Sequence, residues 1–233
     1  MNLKNFELPF ENFVLRGDTY GEDCETIVLH GAGKSSRGRF SRMRTHLKAR
    51  GIPSASFDYI GHGETGGDIV GTSLHARTKQ AEMVIRHACG EPLTLIAASM
   101  SAYTAIKLTE KFSVNNLVLM VPAVYTPEAY DIPFGPEFST IIRVPNSWQA
   151  SDAFRILNGF KGNLLVIAAE NDNVIPMEVV ERINQSARHA RTNHLHIVPG
   201  SAHLSLFPKS DDFHLAIDMI VALCRGVGDN RLN

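Results

Sequence analysis

Cysteine is scarce in this chain: three in 233 residues, Cys24, Cys89 and Cys224, an odd number spread far apart. A disulfide-stapled scaffold is therefore not expected, and the three read as free thiols in a reducing compartment. No apolar run approaches the ~20 residues of a bilayer span. Met1-Asn2-Leu3-Lys4-Asn5-Phe6-Glu7 carries no apolar signal core, so a cytoplasmic soluble protein is the expectation. Neither charge sign is in excess, with 23 Lys+Arg against 24 Asp+Glu and a formal net charge of −1. Nucleic acid and acidic membrane surfaces are accordingly not expected as partners. Internal repeats, low-complexity tracts and linkers are also missing. The chain reads as a single domain over residues 1–233, long enough to bury a substantial core.

What is present is an alternation of strand-like and helix-like segments. Residues 6–16 alternate loosely around Pro9 and suggest an edge strand or the start of a hairpin, with a polar turn over 17–25. Short apolar strands are expected at 26–29, 52–57, 93–98, 117–121, 164–169 and 194–198. Helical periodicity covers about 36–50, 73–89, 100–112, 176–190 and 211–223, the first with Phe40, Met43 and Leu47 on one face. Strand–helix alternation of this kind implies βαβ units and a mostly parallel sheet flanked by helices. Between 124 and 160 the pattern loosens among several prolines.

The stretch Leu93-Thr94-Leu95-Ile96-Ala97-Ala98-Ser99-Met100-Ser101-Ala102-Tyr103 organises the rest. An apolar strand stops at small residues around one serine, and helix-forming sequence follows at once. A strand–turn–helix this tight admits only small side chains two positions either side of the serine. Here those places hold Ala97 and Ser101. In parallel sheets the chemistry collects in loops at the carboxyl ends of strands. Those loops contain His30-Gly31-Ala32-Gly33, Asp58-Tyr59-Ile60-Gly61-His62-Gly63, Glu170-Asn171-Asp172 and Pro199-Gly200-Ser201-Ala202-His203. Together with the serine turn, these segments resemble the α/β-hydrolase family over most of the chain. The likeness is greatest to its small serine esterases, monoacylglycerol lipase-like proteins and related serine peptidases. Ala97 and Ser101 depart from the glycines of the usual G-x-S-x-G.

The resemblance implies an α/β-hydrolase fold with a short lid at about 124–160, and a Ser-Asp-His triad in that chain order. Ser99 would be the nucleophile, needing an adjacent base because a hydroxyl attacks poorly at neutral pH. His203 would carry the proton, and Asp172 would hold the imidazole in the productive tautomer. The oxyanion hole would use the backbone N–H groups of Ala32 and Met100. No cofactor and no metal are implied. The partner would be a small-molecule ester, and the sequence leaves a homodimer open.

Competing readings exist for each residue. Ser99 could be a helix N-cap, Asp172 a turn aspartate with Glu170 as rival acid, and His203 an exposed loop residue. His30 and His62 read as supports bonded to nearby backbone. His194 and His196 share one strand face without a convincing third metal ligand, and a solvated face is the simpler reading. Gly31-Ala32-Gly33-Lys34-Ser35 looks like the end of a P-loop, but Val28 stands where the first glycine is required. A catalytically silent, ligand-binding member of the fold has no need of all three triad groups. The basic run Lys34, Arg37, Arg39, Arg42, Arg44, Lys48 and Arg50 reads as a solvated helix face, or as a lure for anionic substrate through Lys34 and Arg37. Aromatics at 125, 130, 134, 138, 148 and 154 among prolines suggest a compact lid suited to modest acyl or aryl groups.

Overall fold

A computed structural model describes residues 3–226; Met1 and Asn2 of the segment read for a signal core lie outside it. Eight strands form one sheet in the order β1-β2-β4-β3-β5-β6-β7-β8. β1 (Leu3–Phe10) and β2 (Phe13–Tyr20) make an antiparallel hairpin, and β2 pairs antiparallel with β4 (Ser54–Asp58). From there β3 (Thr26–Leu29), β5 (Leu93–Ala98), β6 (Val114–Met120), β7 (Asn163–Ala169) and β8 (Thr192–Val198) run parallel to β4. The central strands β3 and β7 are buried at every residue, as a sheet covered on both faces requires.

Helices cover both faces. One layer holds α1 (Ser41–Ala49) and α7 (Ser210–Arg225), which with Phe40 of the turn before α1 pack Met43, Leu47, Phe213, Ile217 and Ile220 onto Val28, Ile96, Val118 and Ile167. The other holds α2 (Leu74–Ala88), α3 (Ser101–Leu108), α5 (Ala153–Gly159) and α6 (Met177–Ser186), closing a larger core around Leu29, Phe57, Leu95 and Leu119. The alternation along β5 decides the sides: Leu95 and Ala97 face the larger core, Ile96 the smaller. No helix among the described residues is long and apolar enough to cross a membrane.

Three expectations need correction. The segment 17–25 is not all turn: Gly17–Tyr20 continues β2, because Arg16 to Tyr20 find hydrogen-bonding partners in β4. Cys24 and Cys89 are far apart only in sequence; their sulfurs lie 3.7 Å apart, both still free thiols. The basic run is a solvated face only in part: Lys34, Arg39 and Arg42 are exposed, but other members are not. Arg44 is buried, ion-paired to Asp18 at 2.6 Å and bonded to the Ser54 hydroxyl and carbonyl. Arg37 is bound by Asp18, Asp58 and Glu64. Arg50 pairs with Asp218 of α7, and Arg42 lies over the Phe213 ring. Arg37 is therefore committed to the fold and not available to draw in an anion.

Residues 124–160 join β6 to β7 through two short helices, α4 (Pro136–Ile142) and α5. Phe134, Phe138 and Phe154 are buried here, while Tyr125, Tyr130 and Trp148 are half-buried. Most of the segment's aromatic surface thus anchors it. Asp152 fastens α5 to α3, accepting from the Tyr103 hydroxyl at 2.6 Å and Lys107 Nζ at 2.8 Å.

Candidate active site

Ser99 occupies the turn between β5 and α3 with φ at +51°. That left-handed conformation is uncommon for a residue with a Cβ, and it tips the side chain out of the sheet's end. The turn is held by its backbone: Ser99 N–H donates to the Met120 carbonyl, and its own carbonyl accepts from Ala102 and Ala123. Ser99 Oγ lies 3.0 Å from His203 Nε2, in the loop after β8. His203 Nδ1 lies 2.8 Å from Asp172 Oδ2, in the loop after β7. The His203 and Asp172 side chains are only 8% and 6% exposed.

The acid is oriented by its own loop. Asp172 Oδ1 accepts from the backbone N–H groups of Val174 and Ile175 at 2.8 and 2.9 Å, leaving Oδ2 to face the imidazole. A carboxylate at Nδ1 sets the tautomer in which Nδ1 donates and Nε2 accepts. Glu170, the rival acid, does something else: its Oε2 accepts the Gly200 N–H at 2.7 Å and ties the acid loop to the histidine loop.

The His30–Gly33 loop passes close beside the serine. A Cβ built on Gly31 would sit 3.1 Å from Ser99 Cβ, so any side chain there would press on the turn. Among the described residues, neither the Ala32 nor the Met100 backbone N–H donates to a backbone carbonyl. Met100 follows Ser99 directly, and Ala32 follows the Gly31 that abuts it.

Supporting groups explain the remaining motifs. His30 and His62 act through backbone, as read from sequence. His30 Nδ1 lies 2.7 Å from the Gly31 carbonyl while Nε2 accepts the Tyr59 N–H at 3.3 Å, and His62 Nδ1 faces the Ile60 carbonyl at 3.2 Å. Burial holds the pKa of His30 well below the usual imidazole range, aided by the Arg77 charge and by His62; His62 is lowered for the same first reason. Asp58 accepts from the Arg37 and Glu64 backbone N–H groups, and a Cβ on Gly63 would strike its carboxylate at 2.3 Å. Burial works against the charge on Arg37, but Glu64, Asp18 and Asp58 outweigh it and raise its pKa. Among the described residues no group of three or more His, Cys, Asp or Glu side chains could hold a metal ion.

Arg77 is the residue that sequence reading missed. Its α2 stripe runs Leu74, Arg77, Thr78, Ala81, Val84, Ile85, all buried. An arginine at an apolar stripe position was the available signal. Its Nη2 donates to the His30 carbonyl at 3.0 Å, the Gly31 carbonyl at 3.4 Å and Ser101 Oγ at 3.0 Å. Ser101 Oγ in turn donates to the His30 carbonyl at 2.5 Å. Position 101, the second glycine of the usual G-x-S-x-G, thus carries a buried hydroxyl with two partners.

Comparison with known proteins gives the lineage. No curated protein matches the chain. Among solved structures, the thioesterase domain from the curacin biosynthetic pathway is similar at 15% identity, TM-score 0.71, covering 95% of this chain and 100% of that one. A monoacylglycerol lipase from Paleococcus ferrophilus matches at 19% identity, TM-score 0.69, with 89% and 96% covered. Est1E from Butyrivibrio proteoclasticus, solved with ferulic acid bound, matches at 15% identity, TM-score 0.73, with 95% and 98% covered. These likenesses establish the α/β-hydrolase fold. The family model Hydrolase_4, described as "Serine aminopeptidase, S33", matches residues 23–151. With more than half its length under that model, and the sheet, helices and loops arranged as described, the chain belongs to this family of α/β hydrolases.

Proposed function

We propose that the protein is a serine hydrolase that cleaves carboxylic ester or thioester bonds of small acyl or aryl substrates through an acyl-enzyme. The observation that carries this reading is the continuous hydrogen-bonded line Ser99–His203–Asp172, at 3.0 and 2.8 Å, ending on a serine in a left-handed turn. His203 Nε2 takes the Ser99 proton as Oγ attacks the carbonyl carbon, and Asp172 stabilises the imidazolium that forms. The N–H groups of Ala32 and Met100 receive the developing oxyanion, each such donor being worth roughly 10²–10³ in rate. The imidazolium then protonates the leaving group. Water, deprotonated by the same histidine, releases the acid and restores the serine. No step calls for a cofactor.

The family's description supports amides as the competing substrate class. Paired p-nitrophenyl esters and p-nitroanilides of matched acyl groups separate the two. A fluorophosphonate probe tests the nucleophile: wild type should be labelled at Ser99, and Ser99→Ala should lose the label. Labelling that persists in the variant, at Ser101 for instance, would overturn the assignment.

A further inference from the structure

Arg77 presents an unusual arrangement. Its side chain sits in the larger core at 1% exposure, yet it forms no ion pair among the described residues. Two of its nitrogens, Nε and Nη1, have no hydrogen-bond partner there. Its face lies over the Tyr59 ring at 3.7 Å. Burying a guanidinium without a carboxylate is costly, so such a group persists where the charge itself is useful.

We propose that Arg77 is a positioning residue that preorganises the oxyanion pocket; the proposal rests on the reading of Ser99 as nucleophile. The argument starts from the peptide plane. The Gly31 carbonyl and the Ala32 N–H belong to one planar trans unit, so they point in opposite directions. That carbonyl is held from inside the core by His30 Nδ1 at 2.7 Å and by Arg77 Nη2 at 3.4 Å. The Ala32 N–H is thereby aimed away from Arg77, and the Gly31 that precedes it abuts Ser99. The pull also polarises the amide and makes its N–H a better donor. Through the His30 carbonyl the same nitrogen fixes the preceding peptide.

Ser101 couples the second donor. Its hydroxyl joins the first turn of α3, beside Met100, to both Arg77 and the His30 carbonyl. One buried nitrogen therefore sets the spacing between the loop that offers Ala32 and the helix start that offers Met100. The charge on that nitrogen is not cancelled by any acid, so it also favours negative charge developing one peptide away. A glycine at 101 could not make this bridge. The departure from the usual motif and the buried arginine are two parts of one device.

The test compares wild type, Arg77→Met, Arg77→Lys and Ser101→Ala. Each is followed by p-nitrophenyl butyrate kinetics, fluorophosphonate labelling rate and phenylboronic acid affinity, with thermal melting to register folding. Arg77→Met should lower kcat on the order of 100-fold with KM within about 3-fold, since only the transition state carries the oxyanion. Boronate affinity and labelling rate should fall in step with kcat. Arg77→Lys, which can return a cation to one nitrogen position, should recover at least about a third of the lost logarithm of rate. A role confined to packing would lower the melting temperature without separating kcat from KM. If Arg77→Met is folded and its kcat and boronate affinity stay within about 3-fold of wild type, the proposal is overturned. If Arg77→Met fails to fold, Ser101→Ala decides: a kcat loss of about 3–10-fold with parallel boronate weakening supports the bridge, and unchanged values overturn it. A wild type that resists the probe would instead overturn the nucleophile reading, which is a separate result.

Discussion

Asp172 and Glu170 stand two residues apart, and their partners separate them. Asp172 faces the imidazole, while Glu170 accepts the Gly200 N–H from an exposed position. Asp172→Asn is expected to leave the fold intact and lower kcat by about 10³–10⁴, because an amide presents the wrong partner to His203. Glu170→Gln keeps an acceptor for Gly200 and should cost less than about 3-fold. Steady-state kinetics on one ester would check both, and the reverse ranking would mean the acid is misassigned. A second expectation follows from His30 and His62, whose pKa values burial depresses in the folded state. Below the unfolded-state value near 6.5 the unfolded chain binds protons that the folded chain refuses. Their contribution is therefore fully present above about pH 6.5 and is lost as pH falls beneath it. Each fully suppressed histidine contributes a slope of up to about 1.4 kcal/mol per pH unit. Urea titrations between pH 7.5 and 5.0 should show midpoints falling on the acid side, and a flat profile would contradict the burial argument.

At the scale of elements, periodicity carried most of the reading. The helix expected over 73–89 is α2, Leu74–Ala88, with Ser73 as its N-cap accepting the Ala76 N–H at 3.1 Å. Ser73→Ala should lower stability by about 1 kcal/mol, measurable by urea unfolding. The loops after β3, β5, β7 and β8 were equally legible, since small or polar residues interrupt each apolar run there. What stayed hidden depended on partners distant in sequence. Gly17–Tyr20 looks like turn until β4 supplies its ladder. Arg37, Arg44 and Arg50 look solvated until Asp58, Asp18 and Asp218 arrive from elsewhere. Arg77 looks like an error in a stripe until the carbonyls of His30 and Gly31 are beside it. The segment 124–160, whose rings mostly anchor it, leaves limited apolar surface for a substrate body. Activity on p-nitrophenyl esters should accordingly peak at short or medium acyl chains in free solution. A steady rise toward long-chain emulsions would show that this segment opens wider than its packing suggests.

At the scale of the whole molecule, the first helical layer holds the last loop. Arg39, just before α1, donates to the Leu204 carbonyl at 2.7 Å, the residue next to His203. Arg50 reaches Asp218, and Arg225 returns to the Arg50 carbonyl. Arg39→Ala should therefore lower kcat by about 3–10-fold with a nearly unchanged melting temperature, because it loosens the base without touching the core. A loss confined to KM would remove the tether from the account. The same layout has a consequence for how the protein is made. Ser99 and His203 are 104 positions apart, so during synthesis the strained serine turn can form on β3, β5 and β6 well before its base exists. Until β7 and β8 have joined the sheet, the loops that carry Asp172 and His203 are not in place beside Ser99, and on the proposed reading its hydroxyl has no proton acceptor. On the proposed reading, a chain still being made therefore carries its serine turn without the base that would activate it.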